Sequence, residues 1–150
     1  TAVQTAYAAG ELQGDLVLVV RFQGPRANGM PELHKLMPLL ANLQQAGQRV
    51  ALVTDGRLSG ASGQVPAALH LTPEAALGGP LAYVQDGDWI GLDAGAGVLH
   101  LDPAGGDCST RQPAKMTSQI AAGYGLHLFA QQRRLVGPAD QGATTLEWED

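Results

Sequence analysis

The sequence predicts a single α/β domain, rich in β-structure, in which short mixed strands form a barrel and helices pack outside it. The first observation is a strand, helix, strand order over residues 15–54. The second is a series of short apolar runs over residues 81–102, joined by glycine-containing turns at regular spacing. The first pattern is typical of parallel neighbours and the second of antiparallel sheet or barrel. A chain of 150 residues fits one domain with a real core.

The first strand and helix are predicted by hydrophobic periodicity. "DLVLVVRF", residues 15–22, is a Val-rich run typical of a strand buried on both faces. "PELHKLMPLLANLQQAG", residues 31–47, has leucines at helical spacing. Pro31 suits the first helical position and Gly47 the C-terminal cap. Pro38 lies inside the pattern, so we expect it to kink the helix or to split it in two.

A second strand, "RVALVT" at residues 49–54, is followed by the unusually polar segment "DGRLSGASG", residues 55–63. In open α/β sheets ligands collect at the carboxyl ends of strands, which is where this segment begins. Gly56, Gly60 and Gly63 would let the backbone bend and let its amides approach an anion. A simple glycine-rich connector explains the same composition equally well.

Shorter elements follow. "PAALHLT" is interpreted as another strand, and "TPEA" as a helical turn with Thr72 as N-cap and Pro73 at the first position. Three further strands are predicted, at "LAYV", "DWIGLDA" and "GVLHLD". Residues 112–134 have helical character that glycines interrupt, and residues 137–150 are turn-rich, as in a loosely held tail.

Composition excludes several classes of function. A net charge of −5 and a pI near 5.2 argue against a nucleic-acid-binding protein, which needs a basic surface. No apolar run approaches the roughly 20 residues that span a bilayer. The N-terminal segment lacks the features of a signal peptide. Cys108 is the only cysteine, so no intrachain disulfide can form, and we expect a cytoplasmic protein.

Two residues stand out for their chemistry, each with an ordinary alternative. Ser59 could act as nucleophile, base or substrate-binding group, or could only satisfy its local backbone. As a base it needs a nearby positive charge or metal. Glu32 could be a metal ligand, although a carboxylate in a first helical turn more often interacts with the helix dipole. The glycine loop fits neither the phosphate-binding GK[ST] pattern nor the GxSxG elbow, and the four histidines lack metal-ligand spacing.

Two long blocks resemble a known family. "VVRFQGPRANGMPELHKLMPLL", residues 19–40, and the stretch from "VALVTDGRLSGASG" to "GLDA", residues 50–94, closely resemble the C-terminal part of the dihydroxy-acid dehydratase and 6-phosphogluconate dehydratase family. Within that family, "RFQGPRANGMPELHKL" and "YGLHLFAQQRR" are similar to the branch that acts on 6-phosphogluconate. The branched-chain branch has a shorter GPGMPE-type motif.

The resemblance implies a fold and a set of site residues. It implies a swivelling, closed β/β/α barrel of mixed strands with flanking helices, which closes over a site that uses an iron–sulfur cluster and Mg²⁺. It identifies Ser59 with the catalytic base and Glu32 with a magnesium ligand. Arg57 and Ser62 lie on the same loop and are assigned to substrate binding. Lys35 is assigned to the substrate phosphate from its charge alone.

The resemblance also implies partners that complete the site. The cluster cysteines of the family lie in a larger N-terminal domain, and Cys108, in "GGDCST", does not match them. We therefore expect this chain alone to be inactive, and the full-length protein to form a homodimer that dehydrates 6-phospho-D-gluconate. Two alternatives stay open: a non-catalytic module that binds a phosphorylated sugar acid, and an enzyme of the same family that acts on another sugar acid or dihydroxy acid.

Overall fold

The computed structural model describes residues 2–59, 63–104, 106–116 and 124–146. Its α-helices are α1 Ala2–Ala8, α2 Pro25–Asn28, α3 Met37–Gln45, α4 Tyr124–Leu128 and α5 Ala130–Leu135. Its strands are β1 Leu16–Val20, β2 Val50–Thr54, β3 Ala67–Ala68, β4 Trp89–Asp93 and β5 Val98–Asp102. Short 3₁₀ helices cover His34–Leu36, Ala75–Leu77, Pro80–Tyr83, Cys108–Thr110 and Ala139–Gln141.

A parallel sheet of order β1-β2-β3 lies at the centre. Leu16 pairs with Val50 at one end of the β1–β2 ladder and Val20 with Thr54 at the other, which confirms the predicted parallel neighbours. All five residues of β2 are buried, whereas those of β1 are half-buried. Because β1 and β2 run in the same direction, the segments that follow them emerge at the same edge of the sheet. The segment that leads to Glu32 and the segment that contains Ser59 therefore both begin at this edge.

Strand β2 separates two apolar clusters. Val50 and Leu52 pack with the buried leucines of α3, while Val53 packs with Phe22 and the residues around Leu81 on the opposite face. This alternation follows from the two-residue period of a strand. The buried leucines of α3 are Leu39, Leu40 and Leu43. The hydrophobic pattern of the sequence thus specifies which face of the sheet α3 covers.

The predicted first helix is shorter than its apolar pattern. Pro31 does not begin it, so that expectation was wrong; a 3₁₀ helix comes first and α3 starts at Met37, with Pro38 in its first turn. Proline lacks an amide hydrogen, so it is tolerated there and splits the segment, as predicted. At the other end Gly47 has φ 94° and its amide donates to the Gln44 carbonyl, which confirms the stop signal.

Residues 88–102 confirm two of the three later strands. Strands β4 and β5 pair antiparallel, from Trp89 opposite Asp102 to Asp93 opposite Val98. The Asp93 carboxylate closes the connecting turn by accepting hydrogen bonds from the amides of Gly95 and Ala96, both at 2.9 Å. Such an Asx-type turn is a common hairpin connection because the side chain replaces a backbone acceptor.

An ion pair fixes the start of this hairpin. The Arg111 guanidinium forms two hydrogen bonds to Asp88, Nη1 to Oδ2 at 2.6 Å and Nη2 to Oδ1 at 2.9 Å. The Asp88 side chain is only 1% exposed. Arg111, followed by the amides of Gln85 and Ala104, holds the pKa of Asp88 well below its ordinary 3.8. Asp88 is therefore a charged, structural group.

Other short elements differ from the prediction. "LAYV" is not a strand; it belongs to the 3₁₀ helix that Pro80 begins, with Leu81 and Ala82 buried. The periodicity of a four-residue apolar run cannot distinguish a strand from a 3₁₀ helix. In "PAALHLT" only Ala67–Ala68 pair with β2. The turn in "TPEA" begins two residues later than expected, with Glu74 at the N-cap instead of Thr72.

The mixed α/β class is confirmed, but the barrel is not seen. The strands of the described residues form two separate small sheets, and no closed barrel was found among them. Of the predicted helical region 112–134, α4 and α5 are helical, residues 112–116 are not, and residues 117–123 lie outside the described part. Within the described residues, no helix is long and apolar enough to span a bilayer.

Candidate functional site at the carboxyl ends of β1 and β2

Two buried carboxylates, which we call the carboxylate frame, tie together the segments that leave the sheet. Asp55 directly follows β2 and is fully buried. It accepts hydrogen bonds from the amides of Phe22 at 3.1 Å, Gln23 at 2.9 Å and Ala75 at 2.9 Å. One side chain therefore joins the loop after β1, the loop after β2 and the 3₁₀ helix at Ala75. A buried carboxylate is stable only with such partners.

The second member of the frame is Glu74, which is 3% exposed. Its carboxylate accepts hydrogen bonds from the amides of Arg26 at 2.9 Å and Ala27 at 3.0 Å, in the first turn of α2. A Cβ atom at Gly24 would collide with this carboxylate, so glycine is required at that position. The amides at the start of α2 are consequently occupied by a protein carboxylate rather than available to a ligand.

Above the frame lies an exposed group that we call the rim cluster: Glu32, Arg57 and Ser59. Glu32 and Arg57 form an isolated parallel bridge between the two loops. The Ser59 amide donates to both oxygens of the Glu32 carboxylate, at 2.9 and 3.0 Å. Arg57 places Nη1 3.5 Å from Glu32 Oε2 and donates from Nε to the Met30 carbonyl at 2.6 Å. The "MPE" and "GRLS" motifs are thereby held side by side.

The rim cluster is charged and open to solvent. Ser59, first through its side chain and then through its amide, lowers the pKa of Glu32 below its ordinary 4.5, and the His34 amide and Arg57 act in the same direction. The Glu32 side chain is 21% exposed and that of Arg57 47%. Glu32 is therefore ionised at neutral pH. Ser59 is exposed beside it, so its hydroxyl is displayed at the rim.

The structure brings together three of the five predicted site residues. Glu32, Arg57 and Ser59 form the rim cluster. Lys35 is exposed in the following 3₁₀ helix, and among the described residues no hydrogen bond or ion pair joins it to the cluster. Ser62 lies outside the described residues. The roles assigned to all five remain predictions.

Sequence reasoning missed the carboxylate frame. In the sequence, Asp55 is one of several polar residues in a loop, and Glu74 is part of a predicted helical turn. Their amide partners lie 20 to 48 residues away in sequence, so no local pattern reveals the contacts. A sequence signal existed for Asp55, since an acidic residue directly after a fully apolar strand must find donors or face solvent.

The donor set limits what this chain could hold by itself. No cluster of three or more His, Cys, Asp or Glu side chains suited to a metal occurs among the described residues. Cys108 is half-buried and is the single cysteine of the chain. Glu32 could supply one carboxylate ligand if the ion pair of Oε2 with Arg57, which is long at 3.5 Å, gave way to a metal. Any further ligands would have to come from elsewhere.

Comparison with known proteins shows the family to which the chain belongs. Residues 1–143 match the family described as dihydroxy-acid/6-phosphogluconate dehydratase C-terminal. The chain belongs to this dehydratase family. It forms the C-terminal domain, because the family model describes that part of the enzymes.

The most similar relatives include three bacterial phosphogluconate dehydratases. The chain is 52% identical to that of Rhizobium meliloti over 145 residues, which is 96% of the chain and 24% of the relative. The corresponding values are 53%, 95% and 23% for Pseudomonas aeruginosa, and 50%, 96% and 24% for Escherichia coli K12. The chain therefore spans about a quarter of the length of these relatives.

Proposed function

We propose that this chain is the C-terminal domain of an enzyme that converts 6-phospho-D-gluconate to 2-dehydro-3-deoxy-6-phosphogluconate, a hydro-lyase reaction of gluconate catabolism. The rim cluster carries the proposal: Ser59 is held beside the ionised Glu32 by two hydrogen bonds, at an exposed edge. The identity of about 50% to phosphogluconate dehydratases over nearly the whole chain supports the substrate.

The reaction needs a base and a group that assists the departing hydroxyl. The base removes the C2 proton, the electron pair of that C–H bond forms the C2=C3 double bond, and the C3–O bond breaks. The hydroxyl takes up a proton and leaves as water, and the base releases the proton that it took from C2, so no proton is consumed overall. The enol then tautomerises to the ketone at C2. In this proposal Ser59 is the base, and Arg57 together with Ser62 binds the sugar acid.

Glu32 determines the conditions under which Ser59 can act. A carboxylate next to a hydroxyl opposes formation of the alkoxide, whereas a positive charge favours it. In this chain Arg57 is the cation in contact with Glu32. The hydrogen bonds from the Ser59 amide to Glu32 nevertheless hold the backbone of Ser59 in place, and they thereby fix the direction of its side chain. Ser59 therefore becomes an effective base only when additional positive charge offsets Glu32.

We propose that this charge comes with Mg²⁺, for which Glu32 supplies one ligand. A Lewis acid, Mg²⁺ or an iron–sulfur cluster, would assist the loss of the C3 hydroxyl when bound. The cluster ligands belong to the N-terminal domain in this proposal, because this chain has only Cys108. The full-length protein is proposed to be a cytoplasmic homodimer.

We also infer that strands from the rest of the protein complete the swivelling barrel. Strand β1 is an edge strand of the sheet, although its sequence is apolar throughout. Parallel strands of this kind are normally covered. A groove of about 790 Å³ runs between β1 and the β4–β5 hairpin, where Trp89 is 77% exposed. A strand added at this edge would cover both β1 and the groove.

A substrate panel tests the proposed function. A full-length enzyme that carries this chain should dehydrate 6-phosphogluconate in preference to arabinonate and dihydroxyisovalerate. The last substrate is included because a dihydroxy-acid dehydratase of Pyrobaculum calidifontis is 42% identical over 141 residues. Preference for another acid would show that the substrate is misassigned.

The chain by itself provides the second arm of the test. It should show no turnover of 6-phosphogluconate with added iron, sulfide and Mg²⁺. Calorimetric titration should give no micromolar binding, whereas a self-sufficient binding module would show it. Turnover by the chain alone would contradict the proposed division of the site between two domains.

A further inference from the structure

The acceptor positions of the Glu32 carboxylate are all in use. A carboxylate has two oxygens with about four lone-pair positions in total. Oε1 accepts hydrogen bonds from the amides of Ser59 at 2.9 Å and His34 at 3.1 Å. Oε2 accepts one from the Ser59 amide at 3.0 Å and faces Arg57 Nη1 at 3.5 Å. A metal ion that bound Glu32 would therefore have to displace one of these contacts.

The contact with Arg57 is the one that gives way most easily. Hydrogen bonds between a charged nitrogen and a carboxylate are normally about 2.7–2.9 Å long, so the Glu32–Arg57 contact at 3.5 Å is weak. The Arg57 side chain is also 47% exposed, so water can solvate it when it leaves Glu32. The other donors to Glu32 are backbone amides, which cannot turn away unless their loops move. A metal ion at Glu32 would thus replace Arg57.

Arg57 would stay at the rim after it left Glu32. Its Nε donates to the Met30 carbonyl at 2.6 Å, and this hydrogen bond does not involve Glu32. Met30 has a left-handed backbone, with φ 54°, directly after Gly29 with φ 68°. The Nη1–Nη2 edge of the guanidinium remains, and a guanidinium edge binds a carboxylate through two parallel hydrogen bonds. Once released from Glu32, Arg57 is therefore held in place to bind another carboxylate.

Glu32 itself demonstrates that one carboxylate can contact both Arg57 and Ser59. In the proposed substrate the carboxylate carbon, C1, is bonded to C2, from which the base removes the proton. Arg57 and Ser59 are two residues apart, so their Cα atoms are separated by at most about 7 Å. A substrate carboxylate paired with Arg57 would therefore bring C2 to the side of the rim cluster where Ser59 lies.

We propose that Arg57 is a switch: it pairs with Glu32 in the absence of a divalent cation, and with the C1 carboxylate of the substrate when a cation occupies Glu32. This inference rests on the proposed function and deepens it. Release of Arg57 from Glu32 favours both ligands, because the cation loses a competitor and the substrate gains a free guanidinium. The two ligands therefore bind cooperatively, and the cooperativity is reciprocal.

The first test is made in EDTA, without a metal, on a full-length enzyme that carries this chain. Glu32→Gln keeps the size of the side chain but removes the charge that holds Arg57, so it should bind 6-phosphogluconate about 5-fold or more tightly than wild type. Arg57→Gln should weaken binding. In the Arg57→Gln background, Glu32→Gln should improve binding much less, because no guanidinium is left to release. Calorimetric titration gives the four Kd values, and a thermal melt checks that each variant is folded.

Two controls separate the switch from a general effect of charge. Sorbitol 6-phosphate has a hydroxymethyl group in place of the C1 carboxylate, so the effect of Glu32→Gln on its binding should not depend on Arg57. Glu11→Gln and Arg134→Gln remove the same charges at exposed positions outside the rim cluster. These two variants should bind 6-phosphogluconate with the wild-type Kd.

The second test measures the metal directly. In the absence of substrate, Mg²⁺ should bind the Arg57→Gln enzyme more tightly than wild type in calorimetric titration, because the competing guanidinium is gone. Ser59→Ala prevents turnover, so in that background the effect of Mg²⁺ on the Kd of 6-phosphogluconate can be measured. Saturating Mg²⁺ should lower this Kd by a larger factor when Arg57 is present than in the Ser59→Ala, Arg57→Gln enzyme.

The inference would be overturned by equal effects of Glu32→Gln with and without Arg57, since simple charge repulsion would then explain the gain. It would also be overturned if sorbitol 6-phosphate showed the same dependence on Arg57, or if Arg57→Gln left Mg²⁺ affinity unchanged or weakened it. A wild-type enzyme that neither binds nor dehydrates 6-phosphogluconate would instead refute the proposed function.

Discussion

The carboxylate frame and the rim cluster contain the same kind of hydrogen bond, but they differ in their exposure to solvent. In both, a carboxylate on one loop accepts amide hydrogen bonds from another. Asp55 and Glu74 do so while buried, so their partners cannot be exchanged without exposing or orphaning polar groups. Glu32 does so while partly exposed and beside Arg57, so water, a cation or a substrate can reach it. The difference indicates that the frame supports the fold, and it is the reason for our proposal that the rim cluster takes part in the chemistry.

The largest effect is expected at the rim. Ser59→Ala in a full-length enzyme should lower kcat for 6-phosphogluconate about 10²- to 10⁴-fold, the usual contribution of a general base. Alanine retains the two hydrogen bonds from the residue 59 amide to Glu32 and loses only the contact of the exposed side chain, so the melting temperature should change little. Steady-state kinetics and a thermal melt measure both quantities. A small loss of kcat would remove Ser59 from the role of base.

The next effect is expected in the frame. Asp55→Ala leaves the buried amides of Phe22 and Ala75 and the partly buried amide of Gln23 without this acceptor. Unsatisfied buried amides cost about 1 kcal/mol or more each, so the free energy of unfolding should fall by about 3 kcal/mol. Urea denaturation measures the change, with Glu11→Ala, at an exposed position, as control. If both variants unfold at the same urea concentration, Asp55 does not support the fold as described.

The smallest effect concerns pH. Because Arg111 lowers the pKa of Asp88 below 3.8, the pair stabilises the fold above that pH and loses its contribution as the pH falls through the lowered value. Asp88→Asn should therefore melt at a lower temperature than wild type at pH 7, and the two melting curves should converge in acid. Asp86→Asn, at an exposed neighbour, serves as control. A constant difference across the pH range would contradict this explanation.

Local sequence patterns predicted the elements with a clear period. The Val-rich runs of β1 and β2, the leucine spacing of α3 and the alternating hairpin strands all formed close to their predicted positions. The prediction of a strand at "LAYV" was wrong because four apolar residues after a proline fit a 3₁₀ turn as well as a strand. The prediction that Pro31 begins the helix was wrong because the bridge from Glu32 to Arg57 holds that segment extended. This bridge is a tertiary contact that no local sequence pattern contains.

The candidate site was predicted in part, and for different reasons. Glu32 and Ser59 were identified through the family motifs, and their contact follows because both motifs begin at the same edge of a parallel sheet. Asp55 and Glu74 could not be given their roles, since their partners are fixed only by the complete fold. The contact between α2 and α5 was also missed, because Arg133 and Ala27 are 106 residues apart in the sequence.

A paired measurement on Glu32 and Glu74 tests the division between rim and frame most directly. Glu32→Ala and Glu74→Ala each remove a carboxylate that accepts amide hydrogen bonds, so a single full-length enzyme can be assayed for kcat and melting temperature in both variants. The account predicts that the Glu32 variant loses most of its kcat and nearly keeps its melting temperature, while the Glu74 variant melts several degrees lower and, below that temperature, keeps most of its kcat. The reverse pattern, or the same loss in both variants, would contradict it.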